Sequence, residues 1–171
     1  MKKFIIYSLV ILFFILITTT SNLPPASMTL SNIDYILVEK EKRSLCVYSE
    51  GKMLKQYKVA LGFSAIGNKE HEGDGKTPEG KYYIISKNPK SSYHLSLKIS
   101  YPSENDLRIA MSRGLKPGSN IMIHGIRKGF GWIGKYHALL NWTRGCIAVT
   151  NQEIEEIYFA VSVGTIIEIK P

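Results

Sequence analysis

Cysteine is scarce in this chain. Two occur in 171 residues, Cys46 and Cys146, so a scaffold held by several disulfides is excluded. Metal-ligand spacing is missing as well. None of the four histidines falls in a His-x-Glu or His-Glu-x-x-His pattern, and there is no Cys-x-x-Cys, so a metal site is not expected. Runs of Lys or Arg interleaved with aromatics are also absent, which argues against nucleic acid as a partner. The fragment Gly75-Lys76-Thr77 lacks the first glycine of a phosphate-binding loop at the required spacing. No apolar strand precedes it and no helix follows, so it carries no nucleotide reading.

What the N-terminus does contain sets the compartment. Met1-Lys2-Lys3 is followed by an apolar run from Phe4 to Ile17, and Pro24-Pro25 follows its polar end. Residues 1–21 therefore read as a secretory signal or a membrane anchor, with 22–32 a linker. The run falls short of the ~20 apolar residues of a spanning helix. No Ala-x-Ala site follows it, and no cysteine beside it marks a lipoprotein. The expectation is an exported protein, periplasmic or at the cell surface, touching membrane only through residues 4–20. Net charge is +8, and removing Lys2 and Lys3 leaves +6. That balance serves solubility or attraction to an anionic polymer such as cell wall.

An apolar fraction of 44% over this length supports one domain with a real core, placed at 33–171. Ile33 to Glu39 and Ser44 to Ser49 are β-branched and aromatic, with Glu41-Lys42 between them as a hairpin turn. Glu50-Gly51-Lys52 turns the chain into a third strand, Leu54 to Leu61. Strands follow at Lys81 to Ser86, Tyr93 to Tyr101, Ile121 to Ile123, after Cys146, and Thr165 to Ile169. In Tyr93 to Tyr101, Leu95, Leu97 and Ile99 face one way and His94, Ser96 and Lys98 the other. Ser103 with Asp106 and Thr150 with Glu153 are capping signatures for two helices. The first covers Glu104 to Arg113. The second carries Ile154, Ile157, Tyr158 and Val161 on one face and is expected to end at Gly164. The fold is mainly β, sandwich or barrel-like, with two peripheral helices.

Nucleophile chemistry concentrates at Gly145-Cys146. A free thiol of ordinary pKa near 8.5 needs a base or a positive field to react at neutral pH. His124 ends the strand Ile121-Met122-Ile123 and lies 22 residues upstream, so adjacent strands would bring it to the sulfur. The backbone N–H groups of Gly145 and Cys146 could then hold an oxyanion. The bland alternative is a Cys146 that packs as a small hydrophobe. Cys46, between Leu45 and Val47, reads as a passive strand residue not bonded to Cys146. His137 is a rival base, or else a satisfied loop histidine. Tyr93 and His94 are placed to line a cleft and Arg144 to bind a substrate carboxylate. Trp132 and Trp142 flank the site in sequence, one of them able to wall a groove and contact substrate and the other to join the core, with Trp142 the nearer to Cys146. His71, among charged neighbours, reads as a solvated surface residue.

These residues together resemble a known family. Ile123-His124-Gly125 followed by Trp142-Thr143-Arg144-Gly145-Cys146-Ile147-Ala148-Val149-Thr150-Asn151 is similar to the signature of the L,D-transpeptidases with a YkuD-type catalytic domain. Thr77-Pro78-Glu79-Gly80 looks like the family's Thr-Pro-x-Gly segment, Leu97 to Pro102 and Gly118 to Gly125 match a subgroup of it, and the likeness covers nearly all of 33–170. It implies Cys146 as nucleophile, His124 as base with a backbone carbonyl orienting its ring, and no cofactor. The implied partner is the peptidoglycan stem peptide, attacked at the L-centre carbonyl of its third residue. The thioacyl-enzyme then passes to an amine acceptor, a second stem peptide or a wall-linked protein, or to water. Two positions depart from the commonest pattern: Arg144 replaces a histidine before the Gly-Cys, and Ala148 replaces an arginine after it. Two alternatives share the same residues, a peptidoglycan hydrolase using the same thiol with water and a non-catalytic wall-binding module with a structural Cys146.

Overall fold

A computed structural model describes residues 30–171. The signal or anchor expected at 1–21 and most of the linker at 22–32 lie outside the described residues. No helix among the described residues is long and apolar enough to cross a membrane.

Eight strands form one curled sheet: β1 (Ile33–Glu39), β2 (Ser44–Ser49), β3 (Lys52–Lys58), β4 (Gly80–Ser91), β5 (His94–Ile99), β6 (Met122–His124), β7 (Ile147–Ala148) and β8 (Val161–Lys170). Their spatial order is β3-β2-β1-β8-β4-β5-β6-β7. The first three strands are the meander that the sequence predicts. Glu50 and Gly51, at φ 52° and 76°, supply the two left-handed residues that a tight hairpin needs. β8 joins parallel to β1 and antiparallel to β4, and so ties the chain's last strand into the middle of the sheet.

The two ends of the sheet meet. Beyond β3, Ala60 exchanges backbone hydrogen bonds with Ala148 of β7 at 3.0 and 2.8 Å. Phe63 N–H donates to the Thr143 carbonyl, and Thr143 N–H to that of Leu61. This closure makes the sheet barrel-like and leaves fewer unpaired edge groups. Inside it the alternating apolar positions Ile36, Val38, Leu45, Val47, Val59, Leu61, Ile84, Leu97, Ile99, Ile123, Ile147 and Ile167 are fully buried. Cys46 is buried on β2, and both cysteines are free.

Helix α1 (Glu104–Ser112) and helix α2 (Asn151–Ala160) each begin with a complete capping box, Ser103 with Asp106 and Thr150 with Glu153. Ile154, Ile157 and Tyr158 seat α2 against the sheet. Its end differs from expectation. The helix stops at Ala160, and β8 starts at once with Val161, whose backbone pairs with Ile33. The β-branched Val161 and Val163 favour extended backbone. Gly164, at φ 96°, absorbs a register shift inside the strand instead of ending the helix. Between β6 and β7 lies a 3-10 segment, Gly131–Leu139, kinked at Gly134.

Candidate active site

β7 lies parallel to β6, with Ile123 opposite Ile147 and His124 opposite Ala148. Because side chains alternate along a strand, Ile123 and Ile147 enter the core while His124 and Cys146 emerge on the other face, diagonal to each other. Both line one cavity of about 570 Å³, together with Tyr93, Ser96, Trp142 and Arg144. The strand neighbourhood expected from sequence is present.

His124 is held from three sides. Its Nδ1 lies 2.7 Å from the Gly125 carbonyl, an acceptor, so Nδ1 carries the proton and Nε2 is left as the basic nitrogen. Tyr93 and Trp142 pack on the ring at centroid distances of 4.6 and 5.8 Å. Burial lowers the His124 pKa below its usual value; the Gly125 carbonyl opposes this shift and His137 adds to it. Neutral imidazole is therefore the resting form at pH 7. Burial also raises the Cys146 thiol, offset in part by a hydrogen bond from the Met122 backbone and by the positive charge of Lys69. The Cys146 thiol donates to the Asn120 carbonyl at 3.6 Å. The cavity thus holds a thiol and an imidazole that are both neutral at pH 7.

The turn that presents Cys146 rests on a second loop. Gly145 has φ 122°, and a Cβ there would sit 2.6 Å from the Lys76 carbonyl oxygen. Thr143 is buried and its Oγ1 donates to the Cys146 carbonyl at 2.7 Å while accepting the Gly145 N–H at 3.1 Å. That bond corrects one expectation: the Gly145 amide is already engaged, so it is not free to hold an oxyanion.

Beneath the turn, the 73–77 loop is organised by Asp74. Its carboxylate receives Lys69 Nζ at 2.6 Å and the backbone N–H groups of Glu70, His71 and Lys76. Burial works to raise its pKa, yet these donors prevail and bring it down to about 2. Thr77 Oγ1 accepts the Gly62 N–H at 2.9 Å. So the Gly-Lys-Thr fragment braces the site from below. Asp74→Asn would strip the buried Lys69 of its counter-charge, and a loss of about 3–5 kcal/mol in urea unfolding at pH 7 is expected. Asp74 stabilises the fold above its ordinary pKa of 3.8, where the lowered native value keeps it ionised. As pH falls from 3.8 through about 2 that contribution disappears, so the gap between wild type and variant should close over that window.

Other predicted residues fall into place unevenly. Arg144 is exposed on the cavity wall, and Tyr93 and Trp142 stack with centroids 6.2 Å apart. His94 is not in this cavity. Its φ of 69° breaks the strand alternation, and its Nε2 reaches Glu155 of α2 at 2.6 Å. His137 is likewise outside it, buried in the 3-10 segment. Sequence reasoning missed Asn151. Its Oδ1 accepts the Ile126 N–H at 2.8 Å, and added Cβ atoms on Gly125 and Gly131 would strike its side chain. It thereby anchors the loop that follows His124. Its place at the end of the Trp142 to Asn151 signature marked the position without giving its side chain a role. Among the described residues no cluster of His, Cys, Asp and Glu could hold a metal ion.

Comparison with known proteins follows the same lines. YafK of Escherichia coli (strain K12) is 31% identical over 131 residues, which cover 72% of this chain and 45% of YafK. The chain thus spans less than half the length of the curated relatives it matches. The helical cell shape determining protein Pgp2 from Campylobacter jejuni superposes with TM-score 0.62 at 28% identity, covering 82% of this chain and 49% of Pgp2. An L,D-transpeptidase from Mycobacterium smegmatis shares the fold, with TM-score 0.54 at 15% identity over 80% of this chain and 58% of that one. Residues 33–169 match the family model of the YkuD L,D-transpeptidase catalytic domain, and the chain belongs to that family.

Proposed function

We propose that this protein is a cysteine acyltransferase of the bacterial wall, taking the L-centre carbonyl of the third residue in a peptidoglycan stem peptide. The observation that carries the reading is the diagonal placement of His124 and Cys146 on one cavity face, with the His124 Nδ1 proton fixed on a carbonyl. In the forward step Cys146 Sγ bonds to the carbonyl carbon while its proton passes to His124 Nε2. That proton then goes to the departing amine of the fourth residue as its C–N bond breaks, leaving a thioester on Cys146. An amine acceptor, either a second stem peptide or a wall-linked protein, attacks the thioester; its proton returns through His124 to the sulfur. Water in place of the amine would give the hydrolase.

The Cys146 N–H holds the developing oxyanion, since that of Gly145 is occupied by Thr143. Arg144, exposed on the cavity wall, pairs with a substrate carboxylate, and Tyr93 and Trp142 restrain the His124 ring. His94, bound to Glu155, takes no part. No metal or cofactor enters the sequence of steps. Export to the periplasm or cell surface by residues 1–21 would bring the enzyme to this substrate, and the similarity to a cell shape determining protein fits a wall-remodelling role.

Incubation of purified protein with tetrapeptide muropeptides is the test. Mass spectrometry should find the acyl adduct on the peptide containing Cys146, and Cys146→Ala should abolish it. Adding a competing amine should divert the product from the free acid to the amide. If no adduct forms and the Cys146→Ala strain keeps its muropeptide profile, the reading is wrong. A protein that binds isolated wall unchanged by that substitution, without turnover, is instead a binding module.

A further inference from the structure

Apart from the Cys146 cavity, a separate one of about 440 Å³ opens between β3, the β1–β2 turn and the 3-10 segment. Four basic side chains, Lys42, Arg43, Lys58 and Lys135, face one carboxylate there, Glu153. Glu153 is already the acceptor for the Thr150 N–H at the start of α2, at 2.9 Å. Lys42 pairs with Glu39 at 2.6 Å and Lys58 Nζ donates to the Lys42 carbonyl at 3.1 Å, but Lys135 is exposed. The cavity is therefore electropositive even after its internal pairs are counted.

A second observation points to a ligand. His137 lines this cavity at 7% exposure, and neither of its ring nitrogens has a hydrogen-bond partner. Arg43 Nε is also buried and unpartnered, although its terminal nitrogens donate to the Ala138 and Leu139 carbonyls. Buried donors are normally satisfied, and leaving them empty is costly. An oxyanion would answer both the field and the empty donors, through charge-assisted hydrogen bonds. His137 further lines an apolar cleft with Tyr93 and Trp142, and those two aromatics also line the Cys146 cavity. The three concavities are thus linked by shared walls.

We propose that the Arg43–His137 cavity is a second binding site, for a carboxylate or phosphate group carried by the polymer whose peptide occupies the Cys146 cavity. Only the identity of that polymer rests on the function proposed above; the oxyanion site stands on its own residues. His137 is neutral when the site is empty, surrounded by Arg43, Lys42, Lys58 and Lys135 with Glu153 opposing them, and with Tyr57 on the same wall. Arg127 and, at longer range, His124 face it from the other side. A bound anion supplies the counter-charge that lets the ring accept a proton.

The test uses the full chain carrying Cys146→Ala, so that it does not depend on turnover. Imidazole resonances are followed by NMR during titration with inorganic phosphate and, in a second arm, N-acetylglutamate, with His137→Gln to assign the signal. Saturable shifts at His137 and a rise in its titration midpoint are expected with at least one ligand. The arm that responds identifies phosphate or carboxylate as the group taken. Reversing charge at Lys58→Glu with Lys135→Glu, which leaves the Arg43 backbone contacts in place, should weaken binding tenfold or more. The proposal is overturned if neither ligand perturbs His137, or if the perturbation survives that double reversal in a protein with unchanged circular dichroism.

Discussion

His124→Ala is expected to cut kcat/KM for a stem-peptide substrate by about 10²–10⁴-fold, the range set by loss of a general base. The thiol it leaves behind is pushed above its ordinary pKa by burial. At pH 7 it is then almost wholly protonated and has no acceptor for its proton. The same arrangement fixes the pH profile of the wild type. Burial holds His124 below its usual 6.5, so neutral imidazole persists as pH falls past that value. Activity should stay level from about pH 9 down to 6.5 and decline only below it. In His124→Ala that acid limb should vanish, and the residual rate should climb with pH as thiolate appears. Steady-state rates of both proteins across pH 5–10 would decide it. An unshifted limb at 6.5 or higher would show that burial does not govern the base. A profile unaltered by the substitution would remove His124 from the mechanism.

Folding stability answers to the same burial with the opposite concern. His124 and His137 both sit below their ordinary pKa because burial disfavours the charged ring. The unfolded chain therefore binds protons first as pH drops through 6.5, and stability is full above 6.5 and lost below it toward the lowered native values. An activity limb measured there must be separated from partial unfolding, which circular dichroism at each pH accomplishes.

Local pattern carried much of this in the sequence, and long-range pairing did not. Leu97 and Ile99 alternate into the core as the period-2 reading requires. Both capping boxes form as spelled, since each depends on residues three apart. His94 failed for a backbone reason: a left-handed φ at the strand's first residue reverses the side chain and no alternation rule registers it. The bridge from Ala60 to Ala148, which closes the sheet, joins two small residues far apart in the chain, and nothing local in either segment specifies that they pair. Asp74 is a similar case. Its glycine-flanked position reads as a turn, while its grip on Lys69 depends on how the loop folds back. A strand leading to His124 and the Gly-Cys turn were each legible, although the strand runs Met122–His124 and not Ile121 to Ile123; nothing local in either segment specifies their parallel contact.

Gly145→Ala should be nearly as damaging as loss of the base, for reasons that have nothing to do with proton transfer. Two penalties coincide at this position. The φ of 122° is open to glycine and strained for alanine, at about 1–3 kcal/mol. The new Cβ would also lie 2.6 Å from the Lys76 carbonyl and 3.1 Å from Ile121 Cδ1, overpacking that costs about 1–3 kcal/mol more. Neither neighbour can move cheaply. Lys76 O belongs to the loop that Asp74 grips through the Lys76 N–H, and Ile121 is 2% exposed. Together they predict a loss of about 3 kcal/mol or more, read as a fall in Tm of roughly 6–12 °C. Should the turn yield instead, Thr143 loses its bond to the Gly145 N–H and the sulfur is displaced from His124. A displacement on the order of 1 Å would reduce the rate about 10²-fold while leaving Tm less affected. Either result requires the turn to be held by its underlying loop. Asp74→Asn should then lower the rate of the wild-type turn in the same direction as its stability, because both substitutions loosen one contact between the loop and the thiol. A Gly145→Ala protein with native Tm and native rate would mean that the Gly145–Lys76 approach does not set the position of Cys146.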